Sequence, residues 1–284
     1  MNRKMIKLHL NRKHKEFYES IENKEIADLV KKKSIITGGC ITSMLLGENI
    51  NDYDYYFKDI DTAFAVADYF CEQFTVDNPK SKRNPTAVID NDKNRINIVI
   101  ASEGIAEDDS NEQFKEDKKE DKNKKKFRPV FLSSNAITLS NKIQLIIRFF
   151  GEAAEIHKNF DFVHCTNYWT SHVNKLELNP AAVESILAKE LYYNGSLYPL
   201  CSVIRTRKFI TRGWYINAGQ YLKMCFQISR LDLSDIDVLK EQLTGVDSAY
   251  FTELIDFCKD KKEAEPNFKL TMPYVCEVVN RIFG

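Results

Sequence analysis

Two carboxylates, Asp52 and Asp54, stand two residues apart in the run Asp-Tyr-Asp-Tyr-Tyr-Phe. Alternate residues of an extended chain share a face, so a strand here points both acids the same way. A matched pair of carboxylates is costly unless cations neutralise it, and hard divalent ions take carboxylate oxygens together with substrate phosphates. Tyr53, Tyr55 and Phe57 fall on the opposite face, so the strand is expected to bury its aromatic side and present its acidic one. Ahead of the acids come a short apolar strand (Ile35, Ile36), a glycine pair (Gly38, Gly39) and a short helix from Cys40 to Leu46 stopped by Gly47. Glycine lets backbone approach a phosphate closely, and a helix N-terminus offers free N–H groups and the positive end of its dipole. Thr42 and Ser43, in the first turn of that helix, add hydroxyl donors. Taken singly, the glycines fit a tight turn that needs positive φ, and alternating acids fit a solvated strand face. Taken together, their order is that of a phosphate-handling metal site. The two common phosphate fingerprints, G-x-G-x-x-G and G-x-x-x-x-G-K-[ST], are absent.

The run GGCITSMLLG followed by DYDYYF resembles the nucleotidyltransferase superfamily to which DNA polymerase β belongs, in the version found in CCA-adding enzymes and bacterial poly(A) polymerases. Twelve residues separate Gly39 from Asp52. The resemblance implies an α+β fold: a polymerase β-like core of mixed sheet and flanking helices, followed by a helical C-terminal region. It implies transfer of NMP from a nucleoside triphosphate to a hydroxyl on RNA, protein or a small molecule, with two Mg²⁺ or Mn²⁺ ions held by Asp52 and Asp54. The family places a third carboxylate on a later strand. Strands expected at 95–101 and 143–149 hold no acid, whereas the phrase Phe-Asp-Phe-Val-His-Cys offers Asp161 as third metal ligand and general base, with Glu177 as its substitute. Gly38, Gly39, Thr42 and Ser43 are the implied triphosphate cradle. The chain departs from its relatives where Thr42 and Ser43 replace their Arg-Asp, and it has no counterpart of their Glu-Asp-x-x-Arg motif. The alternative is a catalytically idle domain of the same fold, used as a binding or structural module in a larger assembly.

The rest of the chain must position these groups. With 284 residues, 43% hydrophobic and 29% charged, it has the composition of a globular protein with one large core or two ordinary ones. Its first residues are too charged for a signal-peptide core and no stretch has the length of a membrane span, so a cytoplasmic address is expected. Seven scattered cysteines without a Cys-x-x-Cys pair are expected to be reduced thiols in apolar surroundings. His157, His164 and His172 near Cys165 match no zinc spacing. No G-x-S-x-G occurs, and Tyr192, Tyr193, Tyr198 and Tyr221 are expected to pack rather than stack a base.

Helical periodicity is expected over Phe17–Val30 as one apolar stripe and over Ile60–Phe74, and a hairpin over 86–89 and 95–101. Residues 103–126 carry nine acids and seven lysines, so 103–127 is expected to be a solvated, mobile insertion. Strands are expected at 128–132, 137–139 and 143–149, then an aromatic strand at 160–169 with a partner at 175–178. Helices are expected at 181–190, 199–212, 217–229, 234–243 and 247–259. Hence a catalytic domain over 1–178 and a helical domain over 179–284. Net charge is zero, yet residues 199–231 hold six cations and no acid. On a helix there, Arg205, Lys208 and Arg212 share a face opposite Val203, Ile210 and Trp214, a candidate surface for the triphosphate or for nucleic acid.

Overall fold

The computed structural model describes residues 1–79, 84–92, 94–101, 126–243, 260, 261, 263, 264 and 271–283. The chain divides into two compact units, one running to Leu187 and one from Ala188 onward. The first unit ends one helix later than the boundary expected at residue 178.

A seven-stranded mixed sheet organises the first unit in the order β5-β6-β7-β2-β1-β8-β9. Its strands are β1 (Ser34–Thr37), β2 (Tyr53–Phe57), β5 (Pro129–Leu132), β6 (Ala136–Leu139), β7 (Ile143–Phe150), β8 (Tyr168–Thr170) and β9 (Lys175–Glu177). Only β2 and β7 run parallel; the other pairs are antiparallel. A separate hairpin, β3 (Asn84–Asp90) and β4 (Arg95–Ala101), pairs in full register.

The expected stripe over Phe17–Val30 is broken into α1 (Arg3–Glu19) and α2 (Lys24–Lys33). The break lies where Asn23 caps α2, its side chain accepting from Glu25 N–H and Ile26 N–H. α4 (Ile60–Asp77) starts in the same way on Asp59, which accepts from Thr62 N–H and meets Lys33 at 3.0 Å. These helices cover one face of the sheet. Ile6, Leu10 and Phe17 from α1, Val30 from α2, and Val66, Phe70 and Phe74 from α4 pack there against Tyr53, Tyr55 and Phe57 of β2 and Leu145 of β7. The opposite face carries a smaller cluster, Ile35, Tyr56, Ala153 and Ile156, under α5 (Ala153–His157). Gly151 (φ +121°) turns the chain into α5, and the Glu155 side chain folds back onto the Glu152 N–H in a capping box.

The aromatic segment 160–169 is not one strand. Tyr168–Thr170 forms β8, and Val163–Cys165 is a single 3-10 turn with His164 buried. α6 (Pro180–Ala188) completes the unit, with Asn179 Oδ1 accepting from Ala181 N–H at 3.1 Å.

The second unit contains α7 (Pro199–Ile210), α8 (Ala218–Ile228), α9 (Ile236–Leu243) and α10 (Met272–Phe283). α10 was not anticipated, and the helix expected at 247–259 and the insertion expected at 103–127, save its last two residues, lie outside the described residues. α7 is shorter than expected: Thr211 caps it, so Arg212 and Trp214 lie beyond its end, and Ile210 is exposed. Its buried side is instead Cys201, Ser202 and Thr206. Of the six described cysteines all are free thiols, but Cys225 and Cys276 are exposed, not in apolar surroundings.

His14 is buried in the main core, stacked on Tyr55 and edge-on to Trp169. Burial lowers its pKa to about 4. The folded state therefore prefers neutral His14; its contribution is complete above about pH 6.5 and is lost as pH falls toward 4, where the unfolded chain binds the extra proton. The urea midpoint should be lower at pH 5 than at pH 7, and His14→Leu should flatten that dependence by roughly 1–3 kcal/mol. An equal pH slope in the variant would show that other groups control acid stability.

Candidate functional site

The end of β1 and the start of β2 meet at the glycine pair. Thr37, the last residue of β1, pairs directly with Asp54, so their side chains stand side by side on one face of the sheet. Gly38 follows with φ +92° and caps α3 (Gly39–Leu46). A Cβ built on Gly38 would lie 2.6 Å from Asp54 Oδ2. The Asp54 carboxylate thus occupies the space a side chain at residue 38 would need, and glycine is required twice over, by sterics and by φ. Gly39 has no neighbour within 4 Å of the corresponding position and is half-exposed. The helix ends as expected, with Gly47 in the left-handed conformation.

Asp52 lies one residue before β2, half-buried like Asp54. Both acids act on Cys40, which sits in the first turn of α3. Burial chiefly, then the charges of Asp54 and Asp52, push its thiol well above the ordinary range. Cys40 is held as a thiol and is no nucleophile.

The third side of the turn is the loop before β8. Gly38 N–H donates to Cys165 O at 3.1 Å. Thr37 Oγ1 donates to Asn167 O at 2.9 Å and more weakly to Cys165 O at 3.3 Å. That hydroxyl proton being used, the 2.9 Å contact of Thr37 with His157 is made by the Nε2–H donating. Burial lowers the His157 pKa to about 4, which keeps the ring neutral. Thr42 Oγ1 donates to His164 O at 2.8 Å and is buried. The hydroxyl proton expected to face phosphate is committed to the protein instead, and Thr42 staples helix to loop. Ser43 is also buried and is the fifth residue of the helix, past its first turn.

Asp161 lies on the chain just ahead of this loop, half-buried and not on a strand. Among the described residues no group of three or more His, Cys, Asp or Glu side chains is placed to hold one metal ion. Asp161 therefore does not complete a ready-made triad with Asp52 and Asp54. Glu177 shares the row of Asp54, through Thr37 and Tyr168, but on the far edge strand, about 14 Å away at ordinary strand spacing. There it meets Arg3 at 3.9 Å and Lys175. The neighbour of Asp54 on the other side, on β7, is Gln144. Arg205, Lys208 and Arg212 belong to the second unit, with Arg205 half-buried and Lys208 exposed.

Sequence reasoning missed Thr37 and His157. The signal for Thr37 was its place directly before the glycines; His157 had none, since its contact spans 120 residues.

Fold and site define a mixed α/β protein with an acid pair seated against a glycine turn. The chain belongs to the Gabija anti-defense 2 family, whose model matches residues 8–189. A curated relative, "Gabija anti-defense 2" of Bacillus phage SPbetaL7, is 19% identical over 264 residues, covering 92% of this chain. The chain spans about half of that relative, 53%. Among solved structures it is similar to the Thermotoga maritima CCA-adding enzyme complexed with tRNA (12% identity, all of this chain and 58% of that one, TM-score 0.43). It is also similar to an apo CCA-adding enzyme (11% identity, 91% and 56% coverage, TM-score 0.39).

Gly38→Ala and Gly39→Ala should separate cleanly. The first forces a side chain into Asp54 at positive φ and should cost at least about 2–3 kcal/mol in a urea titration. The second adds a methyl to open space at a helix start and should change stability by less than about 1 kcal/mol. Equal effects would contradict this account of the turn.

Proposed function

We propose that this chain is a metal-dependent nucleotidyltransferase that serves phage counter-defence. The observation that carries the reading is the contact of Asp54 with Gly38, which fuses an acid pair and a helix N-terminus into one small site. Mg²⁺ or Mn²⁺ fits the donor set: such ions are held by one or two carboxylates plus substrate phosphates, not by an all-protein cage. A site with two acids and no third protein ligand is compatible with that habit. Asp52 and Asp54 would hold two ions, which supply charge neutralisation at the phosphates and the attacking hydroxyl. The half-exposed Gly39 backbone would take the triphosphate, with Ser43 behind it. Thr37 and His157 would keep the β1 end and the loop from moving. We assign the incoming hydroxyl to Asp161 as general base, and treat Arg205, Lys208 and Arg212 as an anion-binding surface of the second unit. Membership of the Gabija anti-defense 2 family supports the counter-defence setting.

A second reading, a catalytically idle domain acting by binding, is favoured by one observation. The strand beside β2 offers Gln144, not an acid, next to Asp54.

Incubation with each radiolabelled NTP and Mg²⁺ or Mn²⁺, in the presence of RNA or cell extract, tests the choice. Wild type should transfer label, and Asp52→Ala/Asp54→Ala should lower transfer by at least about 100-fold while still folding. Transfer that persists in the double variant overturns the site. Wild type that never transfers label, yet protects phage from a Gabija-bearing host as well as the double variant does, selects the binding reading.

A further inference from the structure

Behind the acid pair, at the same end of the sheet, the chain gathers cations. Residues 1–15 hold six of them and no acid. At 100° per residue α1 brings His9, Arg12, Lys13 and Glu16 into one sector. Lys13 donates to Asn141 O at 2.7 Å and lies 5.2 Å from the Tyr53 ring centre and 5.0 Å from that of Phe127. Lys142 donates to Ile50 O at 2.8 Å. Lys126 meets Glu16 at 3.1 Å, and Arg12 meets the same carboxylate at 3.9 Å. Arg12 and Lys126 thus share one carboxylate, and Lys13 feels the same charge. Their mutual repulsion is felt at Lys13, whose pKa is lowered by burial first and then by Lys126 and Lys142, against the pull of Glu16.

The backbone under this cluster is itself strained. Asn141 and Lys142 stand at φ +61° and +63°, in the tight turn from β6 to β7. Such a turn favours Asn-Gly, and a lysine in the left-handed region is disfavoured because its Cβ crowds the following carbonyl oxygen. The chain keeps a cation where glycine would fit better. Lys142 O also accepts Tyr53 N–H at 2.7 Å, so the turn is bonded to the residue between the two acids.

We propose that the rim of Arg12, Lys13, Lys126 and Lys142 docks the phosphodiester backbone of a single-stranded nucleic acid, the acceptor of the reaction. This rests on the nucleotidyltransferase reading for the word acceptor, but not for the binding. Lys13 lies over Tyr53, whose side chain takes the sheet face opposite to Asp54. Its charge cannot serve the triphosphate held at Asp52 and Asp54, and a second, extended anion is the ligand that matches. Charge complementarity and continuity with β2 favour a phosphate chain that crosses the rim and delivers a terminal hydroxyl to the acids.

Fluorescence anisotropy with a labelled RNA of roughly 20 nucleotides, in EDTA and without NTP, reads the rim alone. Two variants are compared with wild type in the full chain. Lys13→Gln/Lys142→Gln removes cations that also tie backbone, so its melting is checked; Arg12→Gln/Lys126→Gln removes the two ion pairs to Glu16 and the Lys126 contact with the Phe127 ring, and no tie to backbone. Each pair should weaken binding on the order of tenfold and lower the slope of log K against log salt by about 0.7 per cation removed. Unchanged affinity and slope in the Arg12/Lys126 pair overturns the proposal, as does equal competition by free NTP, which would make the rim a triphosphate site. Polyglutamate binding as tightly as RNA would replace the nucleic acid by an acidic protein. Rim-dependent RNA binding without label transfer overturns the catalytic reading alone.

Discussion

Everything at the site follows from one contact, the Asp54 carboxylate lying where a Cβ of residue 38 would be. It requires glycine, and with glycine the chain can take φ +92° and turn from β1 into α3 without a loop. The same turn sends α3 back over the sheet, where Cys40, Ile41 and Met44 join the main core. The acid and the fold are therefore coupled: the carboxylate is not an ornament on a finished scaffold but part of the packing that shapes the turn.

β2 shows how the sheet separates its tasks. Tyr53, Tyr55 and Phe57 feed the large core, while Asp54 and Tyr56 face the other way. Tyr56 is covered by α5 and its small cluster, and one pleat further toward the start of the strand that cover ends at His157, which bonds Thr37 beside Asp54. The apolar cluster thus stops at the row where the acids begin. A neutral histidine suits that boundary, since it donates one hydrogen bond without adding charge beside the carboxylate.

How much of this was legible depended on whether the cause was local. Strand parity from Tyr53 to Phe57, the glycine pair, the helix stopped by Gly47 and the hairpin at β3 and β4 are local patterns, and the structure follows them, though Asp52 falls one residue before the strand. Segment 160–169 misled because its alternating aromatics imitate a strand; they fill two clusters across a 3-10 turn instead. Thr42 misled because its hydroxyl goes to His164, 122 residues away. α7 ended early, at Thr211, so a face drawn through Arg212 and Trp214 had no helix to lie on. The pair Asn141 and Lys142 was only half announced, because asparagine favours positive φ and lysine does not.

The electrostatics of the turn narrow what can occupy it. A helix N-terminus stabilises a neighbouring anion by about 0.3–1 kcal/mol at an exposed site. That is a modest offset for one carboxylate and insufficient for Asp52, Asp54 and a bound phosphate together. Lys13 cannot make up the difference, because its ammonium lies against the Tyr53 ring on the other side of the sheet. On the proposed reading, an anionic ligand that shares this turn with the acid pair brings its own cations, as a nucleoside triphosphate carrying divalent metal would.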